Sequence, residues 1–289
     1  MTKINGQTRI VGVIGDPVQH SRSPQMHNAA IVERKLDYVY VPFHVRSGEL
    51  QEAIEGFKAL NVLGVNVTIP HKQTVMSILD DVSHEATLIG AANTLIFCDG
   101  RVSGDNTDAQ GFLRAMTEEG IDIPVGGSAV VLGAGGAARA VVVALALSGL
   151  DLITIANRTE WKAIQFEKDL ATISETEISA VDLASNQLNL AIRSADLLVN
   201  TTSVGMQETD QLLIDPDSLN PGTIVYEIVY TPPETPLLRV AREKGCQTIG
   251  GIGMLVHQGA IAFEKWIGIV PNVETMRIAL KQALYQKKL

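Results

Sequence analysis

The chain has 289 residues, 46% hydrophobic and 19% charged, a globular composition with apolar material for more than one core. Its net charge of −9 argues against general affinity for nucleic acid or an anionic membrane, but not against a local basic pocket. Cys98 and Cys246 lie far apart in no metal-like spacing, the longest apolar run (140–147) is too short to span a bilayer, and no apolar leader opens the chain; a cytoplasmic protein with two reduced thiols is expected.

In chain order, "RIVGVIGDP" predicts a strand ended by Gly15, Asp16 and Pro17. Ser23 and Pro24 open a helix, with Ser23 expected as its cap and Pro24 in the first turn. "YVYVPFHV" predicts a strand, "LQEAIEGFKAL" a helix and "LGVNVTI" a third strand meeting Pro70. A helix from Lys72 to about Leu79 follows. "NTLIF" and "RVSG" flank Asp99 and Gly100, a hairpin signal. "DAQGFLRAMTEEG" is helical and is expected to bridge two domains.

From Ser128 to Thr159 the chain reads strand, glycine turn, helix, strand: one βαβ unit. "ADLLVNTTS", "TIVYEIVY" and "CQTIGG" predict further strands of the same parallel sheet. Helices follow in "MLVHQGAIAFEKWIG" and from about Val273 to Tyr285. The expected fold is α/β with two domains: residues 1–110 plus 254–289, the terminal helices returning to the first domain, and residues 111–253, a doubly wound Rossmann-type sheet.

Chemistry enters at the glycine turn. Gly133, Ala134, Gly135, Gly136 and Ala137 lie between an apolar strand and an apolar helix. Gly133 permits the tight turn, Gly135 lets the backbone approach a pyrophosphate, and Ala138 keeps helix and strand close. Packing alone is the bland alternative.

The next strand ends in Asn157, Arg158 and Thr159, where an NAD site carries an acid for the ribose 2′-OH. An amide, a guanidinium and a hydroxyl, with Lys162 nearby, suit a 2′-phosphate instead. Charge-assisted bonds contribute roughly 1.5–3 kcal/mol each, or about one to two decades of preference for NADP. The competing reading makes Arg158 a solvated surface residue.

"SRSP" (21–24), "NVTIPHK" (66–72), "GAANT" (90–94), "GDNTD" (104–108), "GAGGAAR" (133–139), "NRT" (157–159) and "GIGMLVHQ" (251–258) occur in this order. The set resembles the shikimate dehydrogenase family, over nearly the whole chain. The resemblance implies an NADP-linked oxidoreductase interconverting 3-dehydroshikimate and shikimate in aromatic amino-acid (chorismate) biosynthesis. The first domain would bind substrate and the second NADP, with the active site in the cleft between them.

By the family's pattern Ser21 and Ser23 hold the substrate carboxylate, and Lys72 and Asp108 form the catalytic pair. Thr68, Asn93, Tyr230 and Gln258 complete the substrate set, and Ile228 and Gly251 join the cofactor set. A ring acid rich in hydroxyls needs such a clamp, neutral hydrogen-bond partners and an acid–base group. Asp108 has a second reading as a helix cap, while Asn106 and Thr107 read as satisfying turn backbone.

Lys162, Ile228 and Gly250 stand where the family often has Arg, Met and Asp. The six histidines show no metal spacing, and no metal is expected. Two other readings remain: a quinate/shikimate dehydrogenase using NAD, and a non-catalytic NADPH-responsive binding module. The sequence leaves the oligomeric state open, a homodimer included.

Overall fold

The computed structural model describes residues 4–170, 175–207 and 209–285. The first apolar run forms β1 (Arg9–Gly15), followed by α1 (Ser23–Glu33). Ser23 is not the cap of α1. It is the first helical residue, Arg22 occupies the cap position without a side-chain bond, and Ser23 N–H donates to Ser21 Oγ at 3.3 Å. Proline fits either of the first two helical positions because neither needs its N–H, so Pro24 permits this earlier start.

β2 (Tyr38–His44), α2 (Leu50–Ala59) and β3 (Gly64–Val67) follow. The helix expected over 72–79 is two short pieces, α3 (His71–Thr74) and a 3-10 turn, Val75–Ile78. Three β-branched residues, Thr74, Val75 and Ile78, weaken so short a helix.

β4 (Asp81–Val82) and α4 (His84–Ile89) come next. Ser83 caps α4 by accepting from Ala86 N–H, and Gly90 closes it in the left-handed region at φ 69°. β5 (Thr94–Cys98) and β6 (Arg101–Asp105) form the hairpin, with Asp99 and Gly100 both at positive φ.

After α5 (Asp108–Glu118) come β7 (Ser128–Leu132), α6 (Gly136–Leu147), β8 (Leu152–Asn157), α7 (Glu160–Leu170), β9 (Glu177–Asp182) and α8 (Asn186–Ser194). β10 (Leu197–Asn200), β11 (Ile224–Glu227), α9 (Pro236–Glu243) and β12 (Gln247–Ile249) complete the alternation. α10 (Ile252–Ile267) and α11 (Val273–Tyr285) end it.

The chain divides into two units: residues up to Gly111 together with those from Leu255 on, and Phe112–Met254. The first holds a mixed sheet of order β2-β1-β3-β5-β6-β4. β1, β2 and β3 run parallel; β5 is antiparallel to both β3 and β6. One side of its core gathers Ile14, Ile54, Val65, Leu95 and Val102, all fully buried.

Another part of this unit is aromatic. His27 stacks on Tyr40 at 4.2 Å and 6° between planes, with Phe263 and Trp266 alongside. Trp266 donates its indole N–H to Leu95 O at 2.9 Å and lies over Gly64, where a Cβ would fall 2.1 Å from the ring nitrogen. Burial pushes the His27 pKa down to about 3, so the ring is neutral.

The second unit carries a parallel sheet of order β12-β11-β10-β7-β8-β9. Chain order reverses between β7 and β10, the switch point at which such sheets bind ligands. Its apolar filling includes Val130, Leu132, Leu198 and Val225. No helix among the described residues is long and apolar enough to cross a membrane.

Candidate active site

Strand direction gathers the polar motifs of the first unit at one end of its sheet. β1 and β3 end there, β5 begins there because it runs antiparallel, and β6 ends there; Ile14 pairs with Val67, Asn66 with Thr94 and Thr94 with Asp105. Ser21 and Ser23 follow β1, Thr68 follows β3, Asn93 precedes β5 and Asp108 follows β6.

Lys72 is fixed by its own backbone, since Lys72 O accepts from Ala92 N–H at 2.8 Å. Its neighbour His71 is buried against Val45 O at 2.7 Å and anchors α3 rather than facing solvent.

Lys72 Nζ lies 2.5 Å from Asp108 Oδ2. Asp108 opens α5, yet its carboxylate turns to side chains: Oδ1 accepts from Asn93 Nδ2 at 2.8 Å. Gln258 Oε1 lies 3.4 Å from the same nitrogen, and Gln258 Nε2 donates to Leu255 O. Lys72, Asp108, Asn93 and Gln258 thus form one cluster, with Asn93 and Asp108 at most 4% exposed.

Thr68 is half-buried beside Gly15, and its carbonyl accepts from His71 N–H. Ser23 is buried and Ser21 half-buried. Asn106 and Thr107 serve the turn: Asn106 Nδ2 reaches Ala91 O, Asn106 Oδ1 takes Asp108 N–H, and Thr107 N–H goes to Asn93 Oδ1 at 2.8 Å. Thr107 Oγ1 is also 3.0 Å from Asn93 Nδ2, a side-chain contact beyond that turn role.

In the second unit Gly133 follows β7 with φ 111°, and a Cβ there would lie 2.7 Å from Thr201 Oγ1. Only glycine accepts both constraints. Gly135 takes the cap position of α6 in extended conformation, with no protein atom within 4 Å of its Cβ direction. Gly136 and Ala137 form the first turn, where free N–H groups face out, and Ala138 is fully buried against the sheet. This is the shape a pyrophosphate requires.

Asn157 ends β8 and donates to Thr159 O at 2.9 Å. Arg158 and Lys162 are exposed, and neither has an acidic partner among the described residues. Lys162 Nζ lies 5.7 Å from the centre of the Trp161 ring, itself 66% exposed. No acid occupies the end of β8, so the residues present fit a dinucleotide with a 2′-phosphate.

Ile228 and Tyr230 continue from β11, both half-buried, and Gly251 packs against Ile228 O. A side chain at Gly250 would meet only Leu238 Cδ1 and Pro233 O, at 3.8 and 4.0 Å.

Sequence reasoning missed Glu227, the fully buried last residue of β11. It accepts from Asn200 Nδ2 at 2.9 Å, Val229 N–H at 2.9 Å and Thr235 Oγ1 at 3.2 Å, tying the β10 loop, the Ile228 segment and the start of α9 together. Burial raises its pKa to about 7 against these three donors. A lone acid interrupting the apolar run "TIVYEIVY" was the available signal. Asn66 and Thr94, polar residues inside buried strands, were also passed over. No cluster of three metal-ligating side chains exists among the described residues.

Known proteins match along the whole length. The profile described as shikimate dehydrogenase substrate binding domain matches residues 13–95. Shikimate / quinate 5-dehydrogenase matches 125–210, and shikimate 5′-dehydrogenase C-terminal domain matches 251–281. The shikimate dehydrogenase (NADP(+)) of Desulforamulus reducens is 45% identical over 280 residues, covering 96% of each chain. A crystal structure of a shikimate dehydrogenase in complex with NADP+ superposes with a TM-score of 0.91 at 39% identity, over 99% of both chains. That of the Thermus thermophilus shikimate 5-dehydrogenase, in complex with NADP(H) and shikimate, gives 0.85 at 36%, over 96% of this chain and 100% of that one.

Proposed function

Since the chain belongs to the shikimate dehydrogenase family, we infer that it catalyses the reversible NADPH-dependent reduction of 3-dehydroshikimate to shikimate, a step of chorismate and aromatic amino-acid biosynthesis. The observation that carries the reading is the Lys72–Asp108 pair, nearly dry and flanked by Asn93 and Gln258.

In this reading Lys72 is the proton donor. Its ammonium, held by Asp108, delivers a proton to the ring oxygen as that oxygen gains negative charge. In the reverse direction the same nitrogen takes the proton back. Asp108 holds Lys72 in place, and Asn93 steadies the carboxylate from its other side.

Ser21 and Ser23 supply hydroxyls for the substrate carboxylate, and Thr68, Gln258 and Tyr230 bind ring hydroxyls. Bound NADPH supplies the hydride, from nicotinamide C4. Gly133 to Ala137 hold its pyrophosphate, Asn157, Arg158, Thr159 and Lys162 its 2′-phosphate, and Ile228 with Gly251 the nicotinamide end. Two free thiols suit a reducing compartment, and we place the enzyme in the cytoplasm.

The test is oxidation of shikimate and of quinate, each with NADP and with NAD, followed by absorbance of the reduced nicotinamide. Shikimate with NADP is expected to be fastest. Reduction of neither cofactor by shikimate refutes the reading, and quinate with NAD in front selects the quinate-linked activity instead. Lys72→Ala is expected to lower kcat by about two to four decades with KM for shikimate little changed. Equal losses in affinity and turnover would remove the proton-donor role.

A further inference from the structure

The Lys72–Asp108 pair is the last link of a longer polar chain. Tyr40 Oη lies 2.8 Å from Asn66 Oδ1. Asn66 Nδ2 lies 3.2 Å from both Asn93 O and Thr94 Oγ1. Thr94 Oγ1 lies 2.9 Å from Asn93 Oδ1, and Asn93 Nδ2 reaches Asp108 Oδ1 at 2.8 Å. Tyr40, Asn66, Asn93, Thr94 and Asp108 are each at most 6% exposed, so bulk water does not share these bonds.

Two main-chain groups fix the direction of every bond. Asn93 O only accepts, so Asn66 must face it with its NH2 and turn its oxygen to Tyr40. Thr107 N–H only donates, so Asn93 must face it with oxygen. Tyr40 therefore donates to Asn66. Thr94 accepts from Asn66 and gives its one proton to Asn93. Asn93 is left with its NH2 aimed at the carboxylate. The donors run one way: Tyr40 to Asn66 to Thr94 to Asn93 to Asp108. The face-to-face contact with neutral His27 holds the Tyr40 ring that begins the series.

We infer that Thr94 and Tyr40 are positioning residues of the active site: their hydroxyls lock the Asn93 amide so that Asp108 meets Lys72 in one orientation. This rests on the reaction proposed above and extends it to two groups that touch neither Lys72 nor Asp108. Removing the Thr94 proton leaves Asn93 Oδ1 with fewer donors and frees the amide to turn, which takes a hydrogen bond from Asp108 for part of the time. The damage falls on alignment of the reacting groups, hence on kcat.

The experiment compares Thr94→Val, which keeps shape and loses the hydroxyl, with Thr94→Ser, which keeps the hydroxyl, and with Tyr40→Phe. Thr94→Val is expected to lower kcat about tenfold with KM for shikimate within about twofold, and Thr94→Ser to stay within about twofold of wild type. Tyr40→Phe is expected to lose about threefold. The Tyr40→Phe/Thr94→Val double variant should be no slower than Thr94→Val, because both act through one amide. Equal losses in Thr94→Val and Thr94→Ser, or losses that multiply in the double variant, overturn the inference.

A second readout needs no substrate. In 1H–15N spectra of the ligand-free protein, the Asn93 side-chain amide resonance should move in Thr94→Val and Tyr40→Phe and stay in Thr94→Ser. An unmoved resonance in Tyr40→Phe overturns the relay even where Thr94→Val fails to fold. Because the spectra are independent of turnover, failure of the relay and failure of the proposed reaction are read separately.

Discussion

At the scale of single residues, the charges that follow β8 can be tested for nucleotide choice. Arg158 and Lys162 stand exposed where an NAD site carries a carboxylate, and Asn157 turns one of its two amide hydrogens to Thr159 O. Arg158→Ala is expected to raise KM for NADP by about ten- to a hundredfold while leaving NAD kinetics within about twofold, checked by initial rates with each cofactor. Equal effects on both nucleotides would mean that Arg158 does not read the 2′-phosphate. The motif could be read from the chain because Asn157, Arg158 and Lys162 lie within a few positions of one another. Thr94 and Asn66 could not, because a polar side chain inside a strand reads the same whether it meets a partner or water. Their meaning comes from Tyr40, Asn93 and Thr107, tens of residues away or across a turn. Glu227 escaped for the same reason, its donors Asn200 and Thr235 lying on other segments.

At the scale of elements, β7, α6 and β8 were readable because strongly apolar runs were punctuated by glycines. α7 and α8 were not assigned, since each mixes polar and apolar residues closely and its apolar face shows only against the sheet. α4 is six residues long, below the length at which periodicity speaks, yet its ends are marked by Ser83 and Gly90. Ser83 also donates its hydroxyl to Asp105 at 2.6 Å while accepting from Ala86 N–H, so one side chain ties α4 to the end of β6. Ser83→Ala should therefore cost about 1–2 kcal/mol, at the upper end for a cap, as measured by denaturant midpoint. A loss below a few tenths of a kcal/mol would show that α4 is held by packing alone.

At the scale of the whole molecule, two buried titratable groups pull stability in opposite directions. His27 is neutral in the folded chain down to about pH 3 but protonates near 6.5 once unfolded. The unfolded chain then binds more protons, so this contribution is lost as pH falls from 6.5 toward 3. Glu227 behaves in reverse: its folded pKa of about 7 lies above the unfolded value of 4.5. The folded chain binds more protons in that interval, so stability is lost as pH rises from 4.5 through 7. Each effect is on the order of a few kcal/mol, at about 1.4 kcal/mol per pH unit. The two cancel between about 4.5 and 6.5, leaving an acid limb and a neutral limb. Glu227→Gln should remove the decline between about pH 6.5 and 7, and His27→Phe the decline from about pH 4.5 toward 3, in denaturant titrations from pH 3 to 8. Unchanged limbs would mean that neither group titrates as its surroundings dictate. Since His27 and Glu227 lie in different units, the limbs belong to different parts of the chain. The indole resting on Gly64 makes that division visible. Trp266 is 6% exposed and Trp161 66% exposed, one in each unit, and they are the chain's two tryptophans. Trp161 already emits from water, so a red shift of intrinsic fluorescence tracks the opening of the half that carries Lys72, without any added dye.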